Sequence, residues 1–261
     1  MGKWGFLMDY LCIIQARTGS TRLPNKVLMN LAGKTVLEHV VSRVQKSHKI
    51  SEVVVATTIS ISDLNIVKLC AEKGIRVFCG SEEDVLDRFF QVAKLLKPKN
   101  IVRITADCPM MDPEVIDFII TKHSKEDADY TSNTLVESYP DGEDVEVFKF
   151  SALAKAWQDA NLKSEREHVT PFIKKHGDFF KHSSVVCEKS LSSKRWTLDN
   201  SEDYEFISKI FKALYDKNNY FGMDEILAFL EEHPDLEMIN SSITRNEGYQ
   251  KSLNEDGIIN V

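Results

Sequence analysis

Four apolar runs of strand character alternate with amphipathic helical patterns through residues 11–105, and this alternation narrows the possible folds more than any other feature. The runs are residues 11–14, 51–57, 75–79 and 100–105, and the apolar spacing between them predicts helices over 36–46, 63–73 and 83–96, the second closed by Gly74. Runs this apolar are buried on both faces. Strands of that kind separated by helices predict an α/β fold with a doubly wound, mostly parallel, Rossmann-like sheet. Ligands of such sheets bind at the carboxyl ends of the strands. A length of 261 residues at 43% hydrophobic composition suits one such domain with a sizeable core and room for a small extra lobe.

The loop after the first strand is the richest in chemistry. It reads Gln15-Ala16-Arg17-Thr18-Gly19-Ser20-Thr21-Arg22-Leu23-Pro24-Asn25-Lys26, with one glycine, three hydroxyls and the cations Arg17, Arg22 and Lys26. Backbone N–H groups freed by a glycine turn point readily at phosphate oxygens, and guanidinium and ammonium groups neutralise a polyanion. A solvated basic loop explains the same composition equally well. The later Gly33-Lys34-Thr35 is a turn into the first helix, because a P-loop would need Gly where Leu28 stands.

The fourth strand delivers Asp107 to its carboxyl edge, where a carboxylate either caps a loop or ligates Mg²⁺. Residues 129–133 and 144–148 read as two more strands around a Tyr139-Pro140-Asp141-Gly142 turn. A helix is expected over 151–160, and another near 164 with Ser164 and Glu167 as a capping box. A short strand ends at Asp199, before a helix to about 214 with Asn200 or Ser201 as its cap and Asp203 in its first turn. A last helix covers 223–232, followed by a polar tail compatible with disorder or with a strap over a partner subunit.

Other classes are disfavoured. A formal charge of −7 argues against a general nucleic-acid-binding surface, and no apolar run approaches the length of a membrane span. With no signal-peptide pattern either, a cytoplasmic location is expected. Five cysteines without C-x-x-C pairing indicate neither a disulfide framework nor a zinc site. Asp127-Ala128-Asp129 superficially fits the D-x-D metal motif of glycosyltransferases, but it precedes a strand instead of ending one.

Gln-Ala-Arg-x-Gly-Ser-Thr-Arg-Leu-Pro-x-Lys resembles the signature loop of sugar nucleotidyltransferases, most closely the cytidylyltransferase-like family typified by SpsF, and more distantly the enzymes that activate sialic acid and Kdo with CTP. Asn25 stands where Gly is usual. Arg103-Ile-Thr-x-Asp107-Cys-Pro, Ser164-Glu-Arg-Glu-His-Val-Thr-Pro, Arg195-Trp-Thr-x-Asp199 and the tail segment 245–253 extend the resemblance over nearly the whole chain.

The resemblance implies the nucleotide-diphospho-sugar transferase (GT-A-like) sheet with a small β insertion. It also implies a CTP-dependent transfer to a sugar or sugar acid with Mg²⁺ as cofactor, and a homodimer. On this basis Arg17, Gly19, Ser20, Arg22 and Lys26 hold the triphosphate, Gln15 and Ala16 bind the nucleotide beside them, and Asp107 and Asp199 hold the metal. Arg17, Arg22, Lys26 and Asp107 form the catalytic set, Thr57, Thr58 and Ser81 lie near the base, and Asp141, Gly142, Arg166 and His168 face the acceptor. Residues 1–10 are then an N-terminal extension, 11–215 the nucleotidyltransferase domain with a sugar-pocket and dimer segment at 129–150, and 216–261 a C-terminal helix and tail. A glycosyltransferase that uses a finished nucleotide-sugar on the same fold and a non-catalytic nucleotide-binding protein remain as alternatives.

Overall fold

Strand β1 (Tyr10–Gln15) is apolar on both faces because the sheet is covered on both sides. The computed structural model describes residues 8–256; of the expected extension at 1–10, residues 1–7 lie outside the described residues, as do 257–261, and Tyr10 already belongs to β1. After β1 come the two-residue strands β2 (Asn30–Leu31) and β3 (Lys34–Thr35), then α1 (Val36–Val44), β4 (Glu52–Thr58), α2 (Leu64–Lys73), β5 (Arg76–Gly80), α3 (Val85–Leu96), β6 (Asn100–Thr105) and α4 (Pro113–Glu126). The chain continues through β7 (Tyr130–Ser132), β8 (Glu146–Lys149), α5 (Phe150–Asp159), α6 (Lys163–His168), α7 (Pro171–Lys175) and β9 (His182–Ser184) to α8 (Ser201–Leu214), α9 (Met223–Glu232) and α10 (Glu247–Glu255).

The main sheet has the order β5-β4-β1-β6-β8-β7-β9. The four strands β5, β4, β1 and β6 are parallel neighbours, whereas β8 runs antiparallel to both β6 and β7. This is the expected α/β sheet, mostly parallel with an antiparallel insertion. Alternation along β1 divides the core. Cys12 and Ile14 pack with α1, α2 and α4 on one face, and Leu11 and Ile13 pack with α3 and α5 on the other.

Three local expectations change. Gly33-Lys34-Thr35 is half of a β2–β3 hairpin, turned by Ala32 (φ 48°) and Gly33 (φ 84°); both φ values are positive, as a tight two-residue hairpin loop requires. Thr35 then caps α1, its hydroxyl accepting from Glu38 N at 3.2 Å. Helix α6 begins one residue before Ser164, so the Ser164–Glu167 capping box does not form; Glu165 Oε2 instead accepts from the Asn161 and Leu162 backbone. The expected strand before Asp199 is an extended segment outside the sheet, with the isolated bridge Asp141–Arg195.

Helices α8 and α9 share a third apolar cluster with Trp196, Leu198, Leu31 and Val36, so the expected boundary at 215/216 falls within one packed unit. The segment leading into α8 is gripped by the 139–142 turn: Asp141 N donates to Lys194 O at 2.9 Å, and Trp196 N donates to Asp141 O at 2.6 Å. Gly142 sits at φ 117°, and a Cβ there would lie 2.7 Å from the Trp196 carbonyl carbon. That atom is backbone and cannot rotate away. Gly142→Ala is therefore expected to lose about 3 kcal/mol of stability in urea unfolding, from strain and overlap together; wild-type stability would show that the two segments are not held in contact.

Candidate active site

One buried carboxylate holds the loop after β1 from below. Asp63 Oδ1 accepts from Thr18 N at 2.7 Å and Thr18 Oγ1 at 2.6 Å, and its Oδ2 accepts from Thr58 Oγ1 at 2.5 Å. With Thr18 pinned, its carbonyl collects Ser20 N at 2.9 Å and Asn25 N at 3.0 Å, which closes the loop on itself. The closure puts Asn25 in the left-handed region (φ 59°, ψ 17°), a conformation asparagine tolerates better than most residues; this explains how it stands where the family resemblance has glycine. A short 3₁₀ turn, Lys26–Leu28, follows and turns Lys26 inward.

The Lys26 ammonium donates to Asp107 Oδ2 at 2.6 Å and to Asp199 Oδ1 at 2.7 Å. β1 and β6 are adjacent, so the loop of one and Asp107 at the end of the other share an edge. Asp199 arrives by another route, along the extended segment, where Leu198 N donates to Asp107 O at 2.8 Å. A single backbone bond does here what neighbouring strands were expected to do. Asp199 Oδ1 is also 2.9 Å from Arg22, and its Oδ2 is 3.3 Å from Arg195. Burial works against a charged Asp107, but Lys26 more than offsets it and holds the carboxyl down at about 2. Burial likewise opposes the Lys26 charge, and the two aspartates outweigh it, raising the ammonium above its ordinary value.

Asp107 and Asp199 therefore meet at a point already suited to a cation. Among the described residues no group of three or more His, Cys, Asp or Glu could enclose a metal. Two carboxylates suit a hard divalent cation that takes its remaining ligands from substrate phosphates and water.

A cavity of about 1080 Å³ opens over these residues. Gln15, Ala16, Arg17, Gly19, Ser20, Arg22, Lys26, Asp107, Asp141, His168 and Asp199, all singled out from the sequence, line it. Thr57, Thr58, Ser81, Gly142 and Arg166 do not. Thr57 and Thr58 are buried, Thr58 in the Asp63 anchor, and the Ser81 hydroxyl accepts from Asp84 N at 3.0 Å. Arg166 is held by Asp84 and by the Trp157 carbonyl, away from the cavity. His168 reaches the cavity, but burial and then Arg103 push its pKa down to about 4, so it is neutral near pH 7 and is no cationic clamp for a carboxylate. Asp127 and Asp129 pair with Lys149, which lies opposite Asn100 at the amino end of β6, remote from the cavity.

The sequence reading missed three groups. Arg195 is buried and pairs with Asp203 at 2.9 Å and Asp141 at 2.8 Å, which orients Asp199; Asp203 thus does more than complement a helix dipole. The spacing Arg195-x-x-x-Asp199 was its only signal. Arg88 on α3 lines the cavity at 2% exposure. The tail, finally, forms α10 over 247–255 and lies across its own chain's cavity, with Glu247 2.5 Å from Arg22 and Ser252 bonded to Glu167 and His168. A second, polar pocket of about 350 Å³ adjoins the first, lined in part by Arg103, Glu146, Lys174, Arg245 and Tyr249.

The sheet order, and cations and carboxylates gathered over the ends of β1 and β6, place the chain among nucleotidyltransferases. Residues 11–239 match the cytidylyltransferase family model, and the chain belongs to that family. Over 237 residues it is 36% identical to the spore coat polysaccharide biosynthesis protein SpsF of Bacillus subtilis, spanning 87% of this chain and 96% of that one. An uncharacterised protein of Methanocaldococcus jannaschii is 39% identical over 248 residues, 94% of this chain and 99% of its own. A cytidylyltransferase structure from Leptospira borgpetersenii superposes with a TM-score of 0.84 at 28% identity, covering 91% of this chain and 98% of that one. Helix α10 lies beyond the residues matched by the family model. Among the described residues no helix is long and apolar enough to cross a membrane.

Glu146 organises the second pocket. It accepts from Tyr130 at 2.5 Å, Thr170 at 2.6 Å and Lys174 at 2.8 Å, and pairs with Arg103. Burial disfavours its charge, but Lys174 and Arg103 together hold it well below the ordinary carboxylate range. A carboxyl depressed in the folded state stabilises above its unfolded pKa and loses that contribution as pH falls below it. Glu146→Gln is therefore expected to cost about 3 kcal/mol at pH 7, from the cations left unpaired. The deficit should shrink as pH falls below about 4 in acid titrations of unfolding; a pH-independent deficit would refute the ion-pair account.

Proposed function

We propose that the chain transfers CMP from CTP to an oxygen of a sugar or sugar acid, releasing pyrophosphate, in the supply of activated sugars for polysaccharide biosynthesis. The observation that carries this reading is the convergence of Asp107 and Asp199 on Lys26 beside Arg22, with a polar pocket of about 350 Å³ adjoining. The acceptor oxygen forms a bond to the α-phosphorus as the bond to the β-phosphate bridging oxygen breaks, and the hydroxyl proton leaves to solvent or a nearby base. Positioning and charge compensation supply nearly all the catalysis. Arg17, Arg22 and Lys26 neutralise the triphosphate and then the leaving pyrophosphate. Incoming phosphates draw the Lys26 ammonium from the two aspartates and free their oxygens. Asp107 and Asp199 would then hold Mg²⁺, which when bound supplies charge neutralisation at the α-phosphate and a lower pKa for a coordinated hydroxyl. Asp141 lines the cavity, held by Arg195 at 2.8 Å.

The adjoining pocket is lined by paired charges and hydroxyls, which suits a polyhydroxylated acceptor. The glycosyltransferase alternative loses its motif, since Asp127 and Asp129 are tied to Lys149 away from the cavity. A cytoplasmic homodimer belongs to the same reading, by resemblance.

Two measurements test it. A thermal-shift series with CTP, UTP, GTP and ATP, with and without Mg²⁺, should show stabilisation selective for CTP and dependent on the metal; stabilisation by nucleotide-sugars but by no triphosphate would overturn it in favour of a glycosyltransferase. Asp107→Asn should leave the fold intact and lower pyrophosphate release by at least about 100-fold. Near-normal turnover would remove Asp107 from the metal site.

A further inference from the structure

Arg88 presents an unusual charge balance. It is 2% exposed, on α3, with its guanidinium at the wall of the nucleotide cavity. Nη1 makes one long contact, 3.4 Å to the Ala56 carbonyl, and among the described residues the buried Nε has no hydrogen-bond partner. Among the described residues no carboxylate is in ion-pair contact with it. Asp63 is engaged by Thr18 and Thr58, and Asp84 by Arg166. Burial, and then the nearby Arg17, lower its pKa to about 10. A buried guanidinium left this way is costly unless something in the cavity accepts its hydrogen bonds.

The sheet order says which part of the nucleotide reaches it. The phosphate loop follows β1, Asp107 follows β6, and the polar acceptor pocket lies over β6 and β8. Arg88 lies on the other side, beside Ala56 near the end of β4 and within 3.1 Å of the Cβ position of Gly80 at the end of β5. With the reacting phosphate over β6 and the acceptor beyond it, the nucleoside extends over β4 and β5. Glu82, Glu83 and Val85, which follow β5 in the chain, line the cavity together with Arg88.

We propose that Arg88 reads the pyrimidine base, donating its hydrogen-bonding fork to O2 and N3 of cytosine, and so sets the preference for CTP over UTP; this rests on the cytidylyl-transfer reading above. Cytosine places two acceptors side by side, O2 and N3, next to the N4 amine donor. A guanidinium presents two parallel N–H groups to such a pair. Glu82 and Glu83, on the loop lining the same end of the cavity, supply acceptors for N4. Uracil carries a hydrogen on N3, which faces a donor with a donor and leaves an N–H of Arg88 unpaired. A site built around hydrogen bonds rejects the analogue that lacks them far more strongly than an apolar pocket rejects a methyl group.

The test needs no acceptor. Dissociation constants for CTP and UTP with Mg²⁺ are measured on the wild type, Arg88→Met and Arg88→Lys. Wild type is expected to favour CTP at least about tenfold. Arg88→Met should weaken CTP by about that factor and UTP by much less, so that the preference collapses. Arg88→Lys, which keeps the charge without the fork, should lose the preference too. A merely structural arginine would weaken both nucleotides alike and leave their ratio unchanged, and that result overturns the proposal. Should the variants not fold, 3-deazacytidine triphosphate, which lacks the N3 acceptor, tests the same contact on the wild type; binding equal to CTP overturns it, and a loss of about tenfold or more supports it. A wild type that does not prefer CTP fails the cytidylyl reading itself, and is distinguished by appearing in the unaltered chain.

Discussion

The Lys26 ammonium, bridged between Asp107 and Asp199, is the contact on which the rest of the site depends. Its partners are 81 and 173 residues away in the chain, so it forms only when three separate segments are in place. The loop is set by the Asp63 anchor, Asp107 by the β1–β6 pairing, and Asp199 by the backbone bond from Leu198 to the Asp107 carbonyl. Breaking a buried ion pair by removing one partner costs roughly 3–5 kcal/mol, against about 0–1 for an exposed pair. Lys26, at 8% exposure, is nearer the first case. The same ammonium therefore stabilises the closed site and competes for the carboxylates that a metal would use, linking nucleotide entry to assembly of the reactive geometry.

Around that contact the sheet divides the work. Its parallel half, β5-β4-β1, carries the loop and the Arg88 wall; its antiparallel half, β8-β7, carries Glu146 and the polar pocket. The division arises because β8 reverses direction, bringing Glu146 opposite Arg103 of β6 and setting the 133–145 connection beside the cavity. Helix α10 then crosses the opening, with Glu247 on Arg22 where a phosphate oxygen would otherwise be welcome. Arg17, Arg22 and Lys26 each face a carboxylate, Arg17 through Glu167 at 3.9 Å. At this loop an entering polyanion exchanges partners with those carboxylates, whereas Arg88 on the opposite wall has no ion-pair partner among the described residues.

Much of this was legible in the amino-acid sequence. Continuous apolar runs separated by helical periodicity require a covered parallel sheet, because nothing else buries both faces of such strands. The glycine, hydroxyl and cation pattern of 15–26, and carboxylates at 107 and 199, marked the loop and its partners, since those side chains lie where strand ends must deliver them. The turn into α1 and a cap at Asn200 or Ser201 were local enough to read as well; the structure gives that cap to Asn200.

Other features were decided by the tertiary structure alone. Thr57, Thr58 and Ser81 carry hydroxyls near strand ends, yet the fold buries Thr57 and turns Thr58 to an anchor and Ser81 to a turn; Arg166 is drawn off to Asp84 and His168 stripped of charge by burial. Arg195, Arg88 and α10 had little or no local signal, because an arginine's role depends on which carboxylates reach it, and those come from remote segments. Periodicity and spacing act over a few residues and determined the elements and their order. Burial, pairing and charge compensation act between segments far apart in the chain, so which side chains face the cavity, and in what charge state, was settled only when those segments met.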